Sequence, residues 1–222
     1  RHRFFALNTL IGAPRIDNQL VNPDEIQVSE KGGGLCFAIV HAGYFYSGYC
    51  SLPPVLSGPL YIVSMMKPSR AFAETRCNRL KLQTQHRLPV CPVPSVAELK
   101  STVLPAVSAD KACYAPTLDA VTASSGLYPF LNGKVVLSLA ATCRFVCQEK
   151  RDVVFFVSLD AGFPERVETR VLRTIRGRQG QEAECERQLL AALETIALNW
   201  PEHVDWYFWW KNRQRFVKRA SL

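Results

Sequence analysis

The chain has 222 residues, 48% hydrophobic and 21% charged, with a formal net charge of +8. This composition excludes wholesale disorder, and the length suffices to bury a full core, so one domain with an extension is expected. The basic balance points to a polyanionic partner, which is RNA, DNA or an anionic membrane surface.

The eight cysteines are scattered and include no Cys-x-x-Cys pair. A core of this size needs no disulfide frame, so free thiols in a reducing compartment are expected. Ahead of Asp17 the chain carries Arg1, Arg3 and Arg15 and no acid. Organelle targeting segments share that bias, which suggests a mitochondrial setting.

Residues 1–34 read as an extended N-terminal arm, punctuated by Gly12-Ala13-Pro14, Asn22-Pro23-Asp24 and Gly32-Gly33-Gly34. No fixed charge occurs from Gly32 to Met66, but Pro53, Pro54 and Pro59 interrupt that stretch. Its most apolar part, Leu35 to Tyr46, is too short for a membrane-crossing helix. Two buried strands, 35–40 and 60–65, are expected instead, followed by a short helix over 69–82. The segment Pro89-Val90-Cys91-Pro92-Val93-Pro94 suits neither a helix nor a central strand and marks a connector. Ser95 with Glu98 has capping-box spacing and predicts a short helix ending before Pro105.

In the second half, 134–146 reads as a long strand. Gln148-Glu149-Lys150-Arg151 turns the chain into a second strand, 153–159. Residues 167–175 admit a helix, since Val167, Val171 and Ile175 recur every four residues between Pro164 and Gly177, but β-branching and alternation favour a third strand, completing a three-stranded antiparallel meander. Residues 181–198 form the strongest helix, with Leu189, Leu190, Leu193, Ile196 and Ala197 in a stripe and three glutamates near its positive end. Pro201 is placed to open a further helix. The expected class is α+β: an antiparallel β-sheet body over 35–198, C-terminal helices, the extended arm, and an aromatic-basic tail over 199–222.

Catalytic and metal motifs are thin. Cys36 and His41 are five residues apart, which puts them on opposite faces of a strand and about 500° apart around a helix. A cysteine-centred enzyme would therefore need a distant base such as His86 or His203, and buried cysteine is the commoner state. Cys77, His86 and Cys91 form one loose cluster, and Cys143 with Cys147 another. Neither has zinc-knuckle spacing, and on a strand Cys143 and Cys147 stand too far apart for one ion. The three glycines at 32–34 lack the residues of a phosphate loop. No metal, cofactor or small-molecule substrate is inferred.

Positive charge is the stronger signal. Arg166, Arg170, Arg173, Arg176 and Arg178, with Lys211, Arg213, Arg215, Lys218 and Arg219, form the candidate nucleic-acid contacts. On a regular strand Arg166, Arg170 and Arg176 would share a face, with Arg173 on the other. The bland alternative is a solvated face balanced by Glu165, Glu168 and the glutamates at 182–186. All four tryptophans lie between residues 200 and 210. On a helix Val204, Tyr207 and Phe208 would face one way, with Trp206, Trp209 and Trp210 spread around the rest. Too many rings for one small core leaves Trp206, Tyr207, Trp209 and Trp210 as candidate partner contacts.

The reading that follows is a non-catalytic structural subunit of a large ribonucleoprotein assembly, with a mitochondrial ribosome as the leading case. Its partners would be ribosomal RNA and neighbouring protein subunits. The alternatives are the cysteine-centred enzyme and a protein-only or membrane-peripheral assembly subunit.

Overall fold

The apolar run Val153–Leu159 forms the middle of strand β8 (Asp152–Asp160) and is buried on both faces. The structure, a computed structural model, describes residues 17–24, 26, 35–42, 48, 52, 56, 58–63, 90–93, 95–161 and 166–220. Nine strands are numbered in chain order among these: β1 (Asp17–Val21), β2 (Cys36–Ala38), β3 (Leu60–Val63), β4 (Val90–Val93), β5 (Cys113–Ala115), β6 (Gly126–Phe130), β7 (Gly133–Leu137), β8 and β9 (Arg166–Arg176). Seven form one sheet in the order β1-β9-β8-β2-β5-β3-β4.

The sheet is mixed and mostly parallel, which corrects the expected antiparallel body. β8, β2, β5, β3 and β4 run parallel, β9 lies antiparallel to β8, and β1 lies parallel to β9. The reason lies in burial. β2 and β5 are buried on both faces, and short apolar strands covered on both sides are typical of parallel sheets. The alternation of β8 divides the core in two. Val153, Phe155, Val157 and Leu159 join one apolar layer, while Val154 and Phe156 join the other with Phe37, Leu35 and Leu60.

The predicted strand 134–146 is also corrected. β7 stops at Leu137, and Leu139–Gln148 is a helix that buries Leu139, Thr142, Cys143, Val146 and Cys147. Those spacings of three and four are helical. β7 pairs with β6 in a separate hairpin, so the expected meander consists only of the β8–β9 pair. Within the expected N-terminal arm, residues 17–21 form an edge strand of the main sheet.

Ser95 does cap a helix: its Oγ accepts the Glu98 N–H at 3.1 Å. The helix continues past Pro105, however, through α1 (Val96–Glu98), a π-helical stretch (Leu99–Val103) and α2 (Leu104–Ser108). The wider turn, with the Leu104 N–H bonded to the Leu99 carbonyl, brings Pro105 in at the start of α2, where its missing N–H is least costly. Pro92 lies in edge strand β4, a position that tolerates proline. The expected helix over 69–82 lies outside the described residues.

The helix Leu139–Gln148 is α3, and Glu182–Asn199 is α4, within one residue of its expected limits. Pro201 opens only a 3-10 turn (Pro201–His203), and the last helix, α5 (Trp206–Ala220), begins five residues later.

Candidate functional site

β2 and β5 are parallel neighbours, and the segments beyond their carboxyl ends stay paired through the Ile39–Thr117 bridge and the Leu118 N–H to Ile39 carbonyl bond of 2.8 Å. From this pair the chain leaves in opposite directions along the sheet: β2 leads to β3, and β5 leads to β8. Open α/β sheets place their functional groups at such points. Here β2 delivers His41 and β5 delivers Asp119.

Asp119 is fully buried and fully engaged. Its Oδ2 accepts the His41 backbone N–H at 2.8 Å and the Trp209 indole N–H at 2.7 Å. Its Oδ1 lies 2.8 Å from His41 Nδ1. Its backbone carbonyl accepts the Asn212 side-chain amide at 2.8 Å. Phe208 covers the imidazole, with ring centroids 4.1 Å apart. Burial by itself pulls the His41 pKa down. The charge of Asp119, its hydrogen bond and the charge of Asp205 outweigh that, so the imidazole titrates above its usual range.

The same contacts seat α5. Ala42 bridges to Val204, and the Asp205 N–H donates to the His41 carbonyl at 3.2 Å. Asp205 then caps the helix, its Oδ1 accepting the Phe208 N–H at 2.9 Å. Phe208, Trp209 and Asn212 thus form the inward face of α5. This corrects the expectation that Val204, Tyr207 and Phe208 would share a face, because the helix starts at Trp206 and turns Tyr207 outward. Trp209, expected as a partner contact, is buried against Phe130 within the chain.

The outward face carries Trp206, Tyr207 and Trp210, which are 44%, 68% and 57% exposed. The Tyr207 and Trp210 rings lie 6.0 Å apart at 30°, and Lys211 Nζ is 5.9 Å from the Tyr207 ring. Trp206 is fixed by its indole N–H to the Pro201 carbonyl, 2.8 Å away. Lys211 and Arg213 are exposed beside these rings, and Arg215, Lys218 and Arg219 lie further along the same helix. No acid occurs from Trp206 to Ala220.

On β9 a bulge opposite Phe155/Phe156 changes the expected faces. Arg173 pairs with Phe155 and Arg170 with Val157, so both share a face with Arg166; Arg176 pairs with Asp152 on the other face. All four are exposed, as is Arg178 beyond the strand. Arg166 donates to Gln19 of β1, and Arg170 pairs with Glu168 at 2.7 Å.

Cys36 does not meet His41. Its thiol is fully buried beside Tyr114, and burial pushes its pKa far up, away from nucleophilic character. His203 lies 3.6 Å from Glu202, and His86 lies outside the described residues. Cys143 and Cys147 occupy one face of α3 rather than a strand, close to Cys185 of α4. A hydrogen bond with Cys185 and burial push the Cys143 thiol up, and burial does the same to Cys147. Among the described residues no three His, Cys, Asp or Glu side chains are arranged to hold a metal ion. Cys91 is on β4, while Cys77 also lies outside the described residues. Among the described residues, too, no helix is long and apolar enough to cross a membrane.

Sequence reasoning raised His41 only to set aside a local pairing with Cys36, and it missed Asp119 and Asn212. Asp119 is 78 residues from His41 and 90 from Trp209, and no local pattern could have joined them. No protein-family model matches the chain, and no curated protein is similar to it in sequence.

Proposed function

We propose that this chain is a non-catalytic, RNA-contacting structural subunit of a large ribonucleoprotein assembly, with a mitochondrial ribosome as the leading case, a partner rich in phosphate that suits its net charge of +8. The observation that carries this reading is the outward face of α5. Exposed Trp206, Tyr207 and Trp210 stand beside Lys211 and Arg213 on a helix without an acid. Flat rings next to fixed cations suit a ligand that combines phosphates with planar bases. Arg166, Arg170 and Arg173 on one face of β9 offer further phosphate contacts. The His41–Asp119 pair contributes by fixing the helix that carries the rings.

Sedimentation tests the reading. Native extract is run on a density gradient with and without ribonuclease, and the chain is followed by immunoblot. Comigration with a large particle that collapses after ribonuclease is expected. Migration as a free small protein, or with a particle indifferent to ribonuclease, would overturn it.

A further inference from the structure

We infer that the outward face of α5 takes unpaired RNA bases rather than duplex RNA, stacking them on Tyr207 and Trp210; this rests on the RNA-contacting reading above. Both rings are more than half exposed, and they lie 6.0 Å apart at 30°, so they form two adjoining platforms. The base pairs of an A-form duplex are stacked on one another, and their faces are open only at the helix ends. Bases in single strands, loops and bulges can splay onto aromatic side chains.

The platform is built in advance. One turn of α5 places Tyr207 and Trp210 outward while Trp209 and Asn212 hold the opposite side to buried Asp119. A ligand therefore meets rings whose backbone is already fixed, which lowers the protein's share of the ordering cost. Lys211 Nζ lies 5.9 Å from the Tyr207 ring, within cation–π range and close enough to serve the phosphate of a nucleotide stacked there. Arg213 is exposed two residues on. Charge complementarity also favours RNA over an apolar protein groove, which would have to cover these cations without an anion to match them.

The test compares a fluorescein-labelled, mixed-sequence RNA single strand with the same strand annealed to its complement, each titrated with the full chain and followed by anisotropy. The expected result is single-strand binding about tenfold or more tighter than duplex binding, since each stacked base contributes on that order. The double variant Tyr207→Ala/Trp210→Ala should lose that advantage while its duplex affinity stays within about twofold. Lys211→Gln/Arg213→Gln should weaken both ligands alike and flatten the salt dependence. Circular dichroism checks that the surface variants keep the fold. Equal affinity for the two RNAs, unchanged in the ring variant, overturns the stacking inference and leaves RNA contact standing. Binding to neither RNA overturns both, and so does sedimentation with phosphatidylserine vesicles in place of RNA binding.

Discussion

The indole N–H of Trp209 donates to Asp119 Oδ2 at 2.7 Å across 90 residues of sequence. That bond joins the last helix to the carboxyl end of a central strand. A carboxylate removed from water is tolerated only when its oxygens are matched by donors. Asp119 meets that condition with two N–H groups on Oδ2 and His41 Nδ1 at Oδ1. The exposed aromatic face of α5 has a fixed geometry because the buried face opposite it is tied to this one carboxylate.

Replacing Asp119 should therefore unseat α5 before it affects the rest of the sheet. Asp119→Ala leaves the His41 backbone N–H and the Trp209 indole N–H without their acceptor. At about 1–3 kcal/mol for each of the two orphaned donors, the expected loss is about 2–6 kcal/mol. Trp209→Phe removes one donor but leaves the carboxylate its other partners, and should cost less. Urea unfolding of the two variants measures the order; equal losses would mean that ring packing, not the carboxylate, holds the helix.

The raised pKa of His41 makes stability depend on pH. The imidazole holds its proton more tightly when folded than at its ordinary 6.5. Its contribution is thus fully present below about 6.5 and is lost as pH rises through the higher folded value. Thermal melts from about pH 6 to pH 9 should show the melting temperature falling across that window. His41→Gln should flatten the fall. A slope unchanged in that variant would assign the titration to another group.

Burial of the thiols predicts silence toward alkylating agents. Cys36, Cys113, Cys143, Cys147 and Cys185 are all buried, and thiol reactivity requires an accessible thiolate. Iodoacetamide applied to native protein, with peptide mapping by mass spectrometry, should leave these five unmodified until denaturant is added. Rapid labelling of Cys36 would revive a cysteine-centred enzyme.

Local periodicity is what the sequence made legible. The stripe of α4, the cap at Ser95 and the β8–β9 pair follow from spacing alone. Strand direction does not, because β2, β3 and β5 are short apolar runs whose partners depend on long connections. The stretch 134–146 misled because Val135, Val136 and Leu137 run straight into the buried face of α3, with Ser138 alone at the break. One bulge, opposite Phe155/Phe156, reversed the assignments of Arg173 and Arg176. The Asp119 node depends on three distant segments meeting, so only part of the candidate site, the rings and cations of α5, was visible as composition.

The hairpin turn between Phe130 and Gly133 is a place where the native residue is not the one the backbone favours. Leu131 has φ 49°, in the left-handed region, and its side chain is largely exposed. Tight two-residue hairpin turns prefer glycine or asparagine at positive φ. Leu131→Gly should relieve that strain while the Leu131 N–H keeps its bond to Glu194 Oε1, so a small gain, about 0.5–1 kcal/mol, is expected. Differential scanning calorimetry would register it as a higher melting temperature; a loss would show that the leucine side chain contributes packing against α4.

Gly177 makes the opposite demand. It follows β9, and its N–H donates to the Arg151 carbonyl at 2.8 Å. A Cβ there would run into the carbonyl oxygens of Val146 and Arg151, which are backbone atoms of the α3 end and the turn after it. Neither can rotate away as a side chain would. Gly177→Ala must therefore push the end of β9 off α3, weakening the layer in which Ile175 packs with Val146 and Val153. Overpacking of this kind costs about 1–3 kcal/mol or more. The discriminating measurement is equilibrium urea unfolding alongside Gly180→Ala. Gly180 has open space around its Cβ position but a φ of 77°, so that change costs only backbone strain of about 1–2 kcal/mol. A Gly177→Ala variant no less stable than Gly180→Ala would mean that β9 and α3 can separate freely at this point.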